Sequence, residues 1–241
     1  MRRLILLFCF MMVSFSLHAF DFPAPGGRIT ASFGSIDRGQ FNTGIDIQTD
    51  NVLASEAGEV LYYGPDFVAV AHDDSILTLY SQLAVSEDIS RDNQIRKGQN
   101  LGRTKGGILH FEMYDLKMDR FINPLLMTER IKKSELPQVK GISFEGGNLS
   151  VYMAGKGLLG LYQVQVSVDG QVVSTLGFRT IQRKGDLLLL DSGAFEYGTL
   201  YGREGAFTFP GIQLNPGENS VDIIVTDFYG KKVVFHGRIT V

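Results

Sequence analysis

Apolar and polar residues alternate over short stretches of this chain, and glycine-containing turns separate those stretches. Residues 67–71 and 76–80 are rich in aliphatic and aromatic side chains and flank a polar loop, Asp-Asp-Ser, at 73–75. Residues 161–168 alternate up to the pair Asp169-Gly170, which favours a two-residue hairpin turn. Short segments with a period of two predict half-buried strands. We therefore predict an all-β protein built from antiparallel sheets.

The composition changes in residues 131–140, where lysine, serine, glutamate and proline take the place of most apolar residues. A polar segment interrupted by proline favours a linker between domains. We predict one domain at residues 20–130, a linker at 131–140 and a smaller domain at 141–241. The alternative is a surface loop within a single domain. Residues 214–232 resemble the closing strands of bacterial immunoglobulin-like domains, and the resemblance implies a β-sandwich for the second domain.

Residues 1–19 have the layout of a secretory signal peptide. Arg2 and Arg3 precede an apolar run, and Ala19 stands where cleavage is expected. The run is too short for a membrane span of about 20 residues, so a retained anchor is the less favoured alternative. We expect export to the periplasm or cell envelope, with no membrane attachment after cleavage. The only cysteine, Cys9, lies inside this segment, so the mature chain has neither a disulfide nor a cysteine nucleophile.

The charge of the chain is close to balanced. It contains 23 Lys+Arg and 26 Asp+Glu, and removal of residues 1–19 leaves 21 against 26, a net charge of −5. This balance does not favour a nucleic-acid partner, which requires clustered positive charge. Two charged stretches, 115–120 and 179–184, are expected to form a solvated loop and a turn.

Three segments of the first half lie at the spacing of a zinc peptidase site. They read Phe-Asn-Thr-Gly-Ile-Asp at 41–46, Leu-Thr-Leu-Tyr-Ser-Gln-Leu at 77–83 and Ile-Leu-His-Phe-Glu at 108–112. They resemble the LytM/lysostaphin family of zinc endopeptidases, whose patterns are HxGxD, TxYxHL and HLHFE. Further similarity at 23–34 and 95–102 extends the resemblance over roughly residues 22–125. The resemblance implies that this half has the family's antiparallel β-sheet core. The enzymes of that family cut the peptide cross-bridges of the bacterial cell wall.

The resemblance assigns roles to five positions. Its metal-ligand positions are occupied by Asn42, Asp46 and His110, of which only the last two keep a ligand side chain of the family. Its two catalytic histidine positions are occupied by Gln82 and Ile108. Glutamine cannot take up a proton near neutral pH, isoleucine has no polar atom, and an asparagine amide is a weak zinc ligand. We therefore expect no catalytic residue at these positions and a vestigial metal site, with zinc as a cofactor only if that site is competent.

The leading functional hypothesis is a catalytically inactive LytM-type protein that acts in peptidoglycan remodelling. Its partners, implied by the resemblance alone, are peptidoglycan or a peptidoglycan amidase that it activates. The first alternative is an active zinc metalloendopeptidase with an altered site, in which Tyr80 or Glu112 serves as the base. The other histidines of the mature chain, His72 and His236, are expected to be structural rather than ligands.

A second alternative is an envelope structural or adhesive module whose second domain recognises a glycan or a protein. It rests on aromatic residues that cluster with glycines: Phe195, Tyr197, Tyr201, Phe207 and Phe209. An exposed strip of aromatic rings would suit such binding, whereas the simpler interpretation is that these rings fill the sandwich core.

Overall fold

The computed structural model describes residues 20–72, 75–128, 136–154, 160–202 and 206–241. The predicted signal peptide and residues 131–135 of the predicted linker lie outside these ranges. Strands paired in antiparallel sheets make up most of the described chain, which confirms the prediction of an all-β protein. The described helices have four residues or fewer, and none is long and apolar enough to cross a membrane.

The first half of the chain contains a large antiparallel sheet, a smaller sheet and a two-stranded ribbon. Its strands are β1 (Arg28–Ala31), β2 (Ile36–Asp37), β3 (Gln40–Phe41), β4 (Ile45–Gln48), β5 (Asn51–Leu53), β6 (Gly58–Tyr63), β7 (Phe67–Ala71), β8 (Ile76–Ser81), β9 (Leu83–Val85), β10 (Gln94–Ile95), β11 (Asn100–Thr104), β12 (Ile108–Asp115) and β13 (Arg120–Ile122). The large sheet runs in the order β10-β6-β7-β8-β12, the smaller sheet in the order β5-β11-β9, and β2 pairs with β3.

Strand β12 is the centre of this half. It pairs with β8 along one edge, and with β4 and then β13 along the other. Successive side chains of a strand point to opposite faces. Leu109, Phe111 and Met113 are therefore buried in the core beneath the sheet, while His110 and Glu112 lie on the opposite face. This alternation places the polar residues of β12 on the face away from the core.

The described residues of the second half form ten further strands and two short helices. They are β14 (Gln138–Glu145), β15 (Asn148–Ala154), β16 (Leu161–Val168), β17 (Gln171–Gly177), β18 (Thr180–Lys184), β19 (Leu187–Leu189), α1 (Leu190–Gly193), β20 (Phe195–Glu196), α2 (Tyr197–Leu200), β21 (Ala206–Phe209), β22 (Glu218–Asp227) and β23 (Lys232–Thr240). β14 begins at Gln138, within the predicted linker, because Gln138 and Val139 already pair with β15. The position of the domain boundary stays a prediction.

Seven of these strands form a sandwich of two sheets, ordered β14-β15-β21 and β17-β16-β22-β23. The predicted hairpin between β16 and β17 is present, and Asp169 and Gly170 both have positive φ angles, as its turn requires. Val221, Ile223 and Val225 alternate along β22 and are buried in the core. Two sheets of three and four strands match the predicted immunoglobulin-like architecture.

The chain leaves the sandwich between β17 and β21, and we call this part, residues 178–202, the bridging segment. Its strand β18 pairs with β13, so that β18, β19 and β20 extend the large sheet of the first half to eleven strands. The stretch 115–120, expected from its charge to be a solvated loop, does contain an exposed turn, residues 116–119, between β12 and β13. The stretch 179–184, expected to be a turn, instead contains the strand β18. Asn123 adds hydrogen bonds from its backbone N–H to the Arg179 carbonyl (2.9 Å) and from Nδ2 to the Phe178 carbonyl (2.8 Å).

Candidate metal centre and cleft

Strands β4 and β12 bring the two predicted metal ligands together. His110 is the cross-strand partner of Asp46, and His110 Nδ1 lies 2.7 Å from Asp46 Oδ1. The side chains are 18% and 29% exposed, respectively, so solvent reaches the pair. We call the face of β4 and β12 around this pair, together with the turn at residues 42–44, the cleft. The sequence therefore identified two residues that the fold places in contact.

A second carboxylate lies on the other side of the His110 ring. Glu112, two residues further along β12, has its Oε1 3.3 Å from His110 Nε2. The hydroxyl of Thr43 donates a hydrogen bond to the same oxygen. Burial by itself would lower the pKa of His110, but the hydrogen bonds with Asp46 and Glu112 outweigh it and raise the pKa to about 9. A protonated imidazole donates from both nitrogens, which suits the carboxylate on each side of the ring.

Asn42, at the position of the family's first zinc histidine, caps a turn. Its side-chain Oδ1 accepts a hydrogen bond of 2.9 Å from the backbone N–H of Gly44. Two hydrogen bonds also hold the backbone of Asn42 in place. Its N–H donates to the Ser35 carbonyl, and its carbonyl accepts from Gly34 N–H, both at 2.8 Å. Asn42 is almost fully buried. The amide oxygen that would have to replace an imidazole nitrogen is thus already engaged within the chain.

Glycine is required at residue 44 for this turn to approach β12. A Cβ at that position would stand 2.3 Å from the carbonyl oxygen of Phe111 and 2.8 Å from Cγ of Glu112. The glycine of the family pattern therefore has a steric reason in this chain. It lets Thr43 reach the Glu112 carboxylate across the gap between the turn and the strand.

The family's two catalytic positions lie at different places on the sheet. Ile108 is half-buried on β12, on the same face as His110. Gln82 follows the end of β8, is exposed and has a φ of 65°, and its carbonyl accepts a hydrogen bond of 2.6 Å from Lys105 N–H. Neither side chain can act as a general base near neutral pH.

Tyr80 cannot serve as the base of an altered peptidase, and that part of the first alternative is wrong. Its ring lies in the core below the sheet and is fully buried. Its hydroxyl accepts hydrogen bonds from Ser55 N–H (2.8 Å) and from Thr78 Oγ1 (3.2 Å). Burial also raises the pKa of Tyr80, which makes the phenol a poorer source of a base.

The remaining histidines of the described chain lie outside the cleft. His72 is buried, with Nδ1 2.7 Å from the Ala57 carbonyl and Nε2 2.8 Å from Thr78 Oγ1. His236 lies exposed on β23, with Nδ1 2.7 Å from Asp222 Oδ1. These contacts give both histidine rings a structural role, and neither ring is beside Asp46 or His110.

The residues present do not fit a zinc site of the family type. A catalytic zinc requires three protein ligands that point at one position and leave a fourth position for water. Here His110 lies between its two carboxylate neighbours and the oxygen of Asn42 points to Gly44. Throughout the described ranges, no group of three or more His, Cys, Asp or Glu side chains is arranged to hold a metal ion.

The five clustered aromatic residues at positions 195–209 do not form an exposed strip. Phe195, Phe207 and Phe209 are buried. Tyr197 and Tyr201 are half-buried, and their ring centroids lie 5.6 and 5.9 Å from that of Phe41. The rings fill the sandwich core and its contact with the first half, so the observation that favoured an adhesive surface is absent from this cluster.

Comparisons with known proteins agree with this architecture. The family model "Peptidase family M23" matches residues 40–124, and a second family model matches residues 121–241. No curated protein matches the chain.

Solved structures of similar fold include a chain of the SpoIIQ–SpoIIIAH pore-forming complex, at 20% identity and a TM-score of 0.41, over 47% of this chain and 92% of that chain. Csd3 of Helicobacter pylori matches at 24% identity and a TM-score of 0.38, over 48% of this chain and 34% of that chain. A mutant of the catalytic domain of the prophage-encoded M23 protein EnpA from Enterococcus faecalis matches at 20% identity and a TM-score of 0.38, over 44% of this chain and 95% of that chain.

These likenesses concern the fold alone. The resemblance seen in the sequence is confirmed. Residues 40–124 match the model of peptidase family M23, and a second β-domain follows them.

Proposed function

We propose that this protein is a non-catalytic M23-domain protein of the cell envelope, which acts in peptidoglycan remodelling by binding peptidoglycan or by activating a cell-wall hydrolase. The observation that carries the proposal is the hydrogen bonding of the ligand positions. Asn42 Oδ1 is bonded to Gly44, and both nitrogens of His110 face carboxylates. Export follows from the predicted signal peptide, and the envelope location is part of the proposal.

Peptide hydrolysis by an M23 enzyme requires a metal-activated water and a base beside it. Loss of one positioned acid–base group alone lowers a rate by about 10²–10⁴-fold. Gln82 and Ile108 stand at both catalytic positions, so the chain lacks two such groups where the family has them. Glu112 does not replace them, because its carboxylate is bonded to Thr43 and lies against His110.

The cleft keeps features that suit binding. Asp46 and His110 are partly exposed and form a charged, hydrogen-bonding floor on the central sheet. Thr43 and Glu112 fix this floor from one side, so its polar groups are ordered before any ligand arrives. A preordered site binds without the cost of ordering its side chains. Stem peptides of peptidoglycan, or an extended segment of a hydrolase, have the amides and charged groups that such a floor can bind.

The proposal is tested with the chain from residue 20 onward and purified peptidoglycan sacculi. We expect the native chain either to sediment with sacculi or to accelerate a peptidoglycan amidase, and to release no soluble peptide fragments by itself. Asp46→Ala should weaken whichever effect is found. Asp222→Ala is the matched control, because it removes the aspartate of the other His–Asp pair, on the surface of the sandwich far along the chain.

Three outcomes contradict the proposal. One is release of peptide fragments by the native chain that a chelator abolishes, which would identify an active peptidase. Another is an equal effect of Asp46→Ala and Asp222→Ala, which would place binding outside the cleft. The third is failure of the native chain both to bind sacculi and to stimulate an amidase.

A further inference from the structure

The bridging segment touches the part of the first half that leads into the cleft. Tyr201, which directly follows α2, donates a hydrogen bond of 2.8 Å from its hydroxyl to the carbonyl of Gly34. These residues are 167 positions apart in sequence. Burial raises the pKa of Tyr201, so the phenol stays protonated and remains a donor.

Packing supports the same contact. The Phe41 ring meets the rings of Tyr197 and Tyr201 edge to face, at angles of 78° and 61°. Gly34 has a φ of +76°, and a Cβ there would stand 2.8 Å from Cδ1 of Phe178. Aromatic side chains of the bridging segment therefore cover both Gly34 and Phe41, which lie side by side at the open end of the β2–β3 ribbon.

The ribbon is joined directly to the turn at the cleft. Gly34 N–H donates to the Asn42 carbonyl, and Asn42 N–H donates to the Ser35 carbonyl. Asn42 Oδ1 then accepts from Gly44 N–H, and the intervening residue, Thr43, binds Glu112. A short series of hydrogen bonds thus leads from Tyr201 to the carboxylate that contacts His110.

We infer that Tyr201 is a positioning residue for the cleft: it holds the β2–β3 ribbon and thereby the Asn42–Gly44 turn in place from the C-terminal half. The cleft is therefore built by both halves, and the C-terminal half is part of the binding site rather than a separate recognition module. This inference deepens the proposed function, which supplies the role of the cleft, although the positioning itself can be measured independently of that role.

Hydrogen exchange of the native chain and of Tyr201→Phe tests the inference. The substitution removes only the hydroxyl, so the fold is expected to persist. Loss of one neutral hydrogen bond corresponds to about a 3- to 10-fold change in the local opening equilibrium. We expect the amides of Gly34, Asn42 and Gly44 to exchange faster by that factor, while the amides of β22 in the sandwich core stay unchanged. The matched control is Tyr197→Phe, which removes a hydroxyl from a ring that also packs on Phe41.

A second measurement reads out the position of residue 42. Asn42→His, Gln82→His and Ile108→His together define the histidine-restored variant, and its affinity for zinc depends on where the first histidine stands. Adding Tyr201→Phe to this variant should weaken zinc binding by about tenfold, as loss of a residue that orients a ligand does. Adding Tyr197→Phe should leave the affinity unchanged.

The inference is overturned if Tyr201→Phe alters the three amides no more than Tyr197→Phe does, or if it accelerates exchange equally throughout the chain, which would indicate general destabilisation. Failure of the proposed function has a different signature. A native chain that cleaves peptidoglycan would refute the non-catalytic role and leave the exchange result standing.

Discussion

A single methyl group at residue 44 should disturb the cleft strongly. In Gly44→Ala the new Cβ would stand 2.3 Å from the carbonyl oxygen of Phe111, well inside van der Waals contact. That carbonyl belongs to β12, and Phe111 is paired with Ile45 on one side and with Tyr80 on the other. The strand cannot retreat without distorting the centre of the sheet, so the turn before β4 must move away from it.

The expected loss of stability has two parts. Overpacking at a well-packed position costs about 1–3 kcal/mol. Movement of the turn also weakens the Thr43–Glu112 and Asn42–Gly44 hydrogen bonds, each of which contributes about 0.5–1.5 kcal/mol. We therefore expect a decrease of about 3–5 kcal/mol in the free energy of unfolding. For a chain of this length that corresponds to a fall in Tm on the order of 10 °C.

Gly141→Ala is the matched control. A Cβ at Gly141, in β14, would meet no atom within 4 Å. Its effect on stability should stay within about 1 kcal/mol of the native value. Urea unfolding followed by circular dichroism compares the three proteins, because the chain contains no tryptophan for fluorescence. If Gly44→Ala and Gly141→Ala unfold within 1 kcal/mol of each other, the turn does not approach β12 as closely as we describe.

Two further predictions concern ionisation and the core. The pKa of His110 is raised to about 9, so folding stabilises its charged form. The resulting contribution to the free energy of unfolding is complete below a pH of about 6.5 and is lost as the pH rises to about 9. Urea unfolding should therefore show a decrease of about 1–3 kcal/mol across that window, and a native-like decrease in His110→Gln would contradict the assignment. Tyr80→Phe leaves Ser55 N–H without its acceptor and should cost about 1–3 kcal/mol in the same assay, whereas an unchanged free energy would show that the hydroxyl is not needed.

The sequence predicted the parts of the fold that local patterns encode. Alternation marked β16, and Asp169-Gly170 marked its hairpin, because both signals lie within ten residues. The junction of the two halves was missed. β13 has three residues and β18 has five, and the charged ends of β18 resemble a turn. The pairing of β13 with β18 joins strands about 60 residues apart in the chain. Packing decides this pairing, and a single sequence carries no signal for it.

The residues of the cleft were also predicted only in part. Asp46 and His110 were identified because the family pattern marks them, and they are in contact. Thr43 was missed because it occupies a variable position of that pattern, and its partner Glu112 is 69 residues away. Tyr80 was wrongly offered as a base although it is a pattern residue, since its side chain points to the core face of β8.

The zinc content of the purified native chain is the most direct test of the account. After incubation with zinc and dialysis against a trace of the metal, we expect the native chain to retain none and the histidine-restored variant to retain about one ion per chain. That result would show a scaffold able to hold the metal and a native residue set that does not. Tight, stoichiometric zinc in the native chain would contradict the account, because Asn42 and His110 would then have to abandon the hydrogen bonds described here.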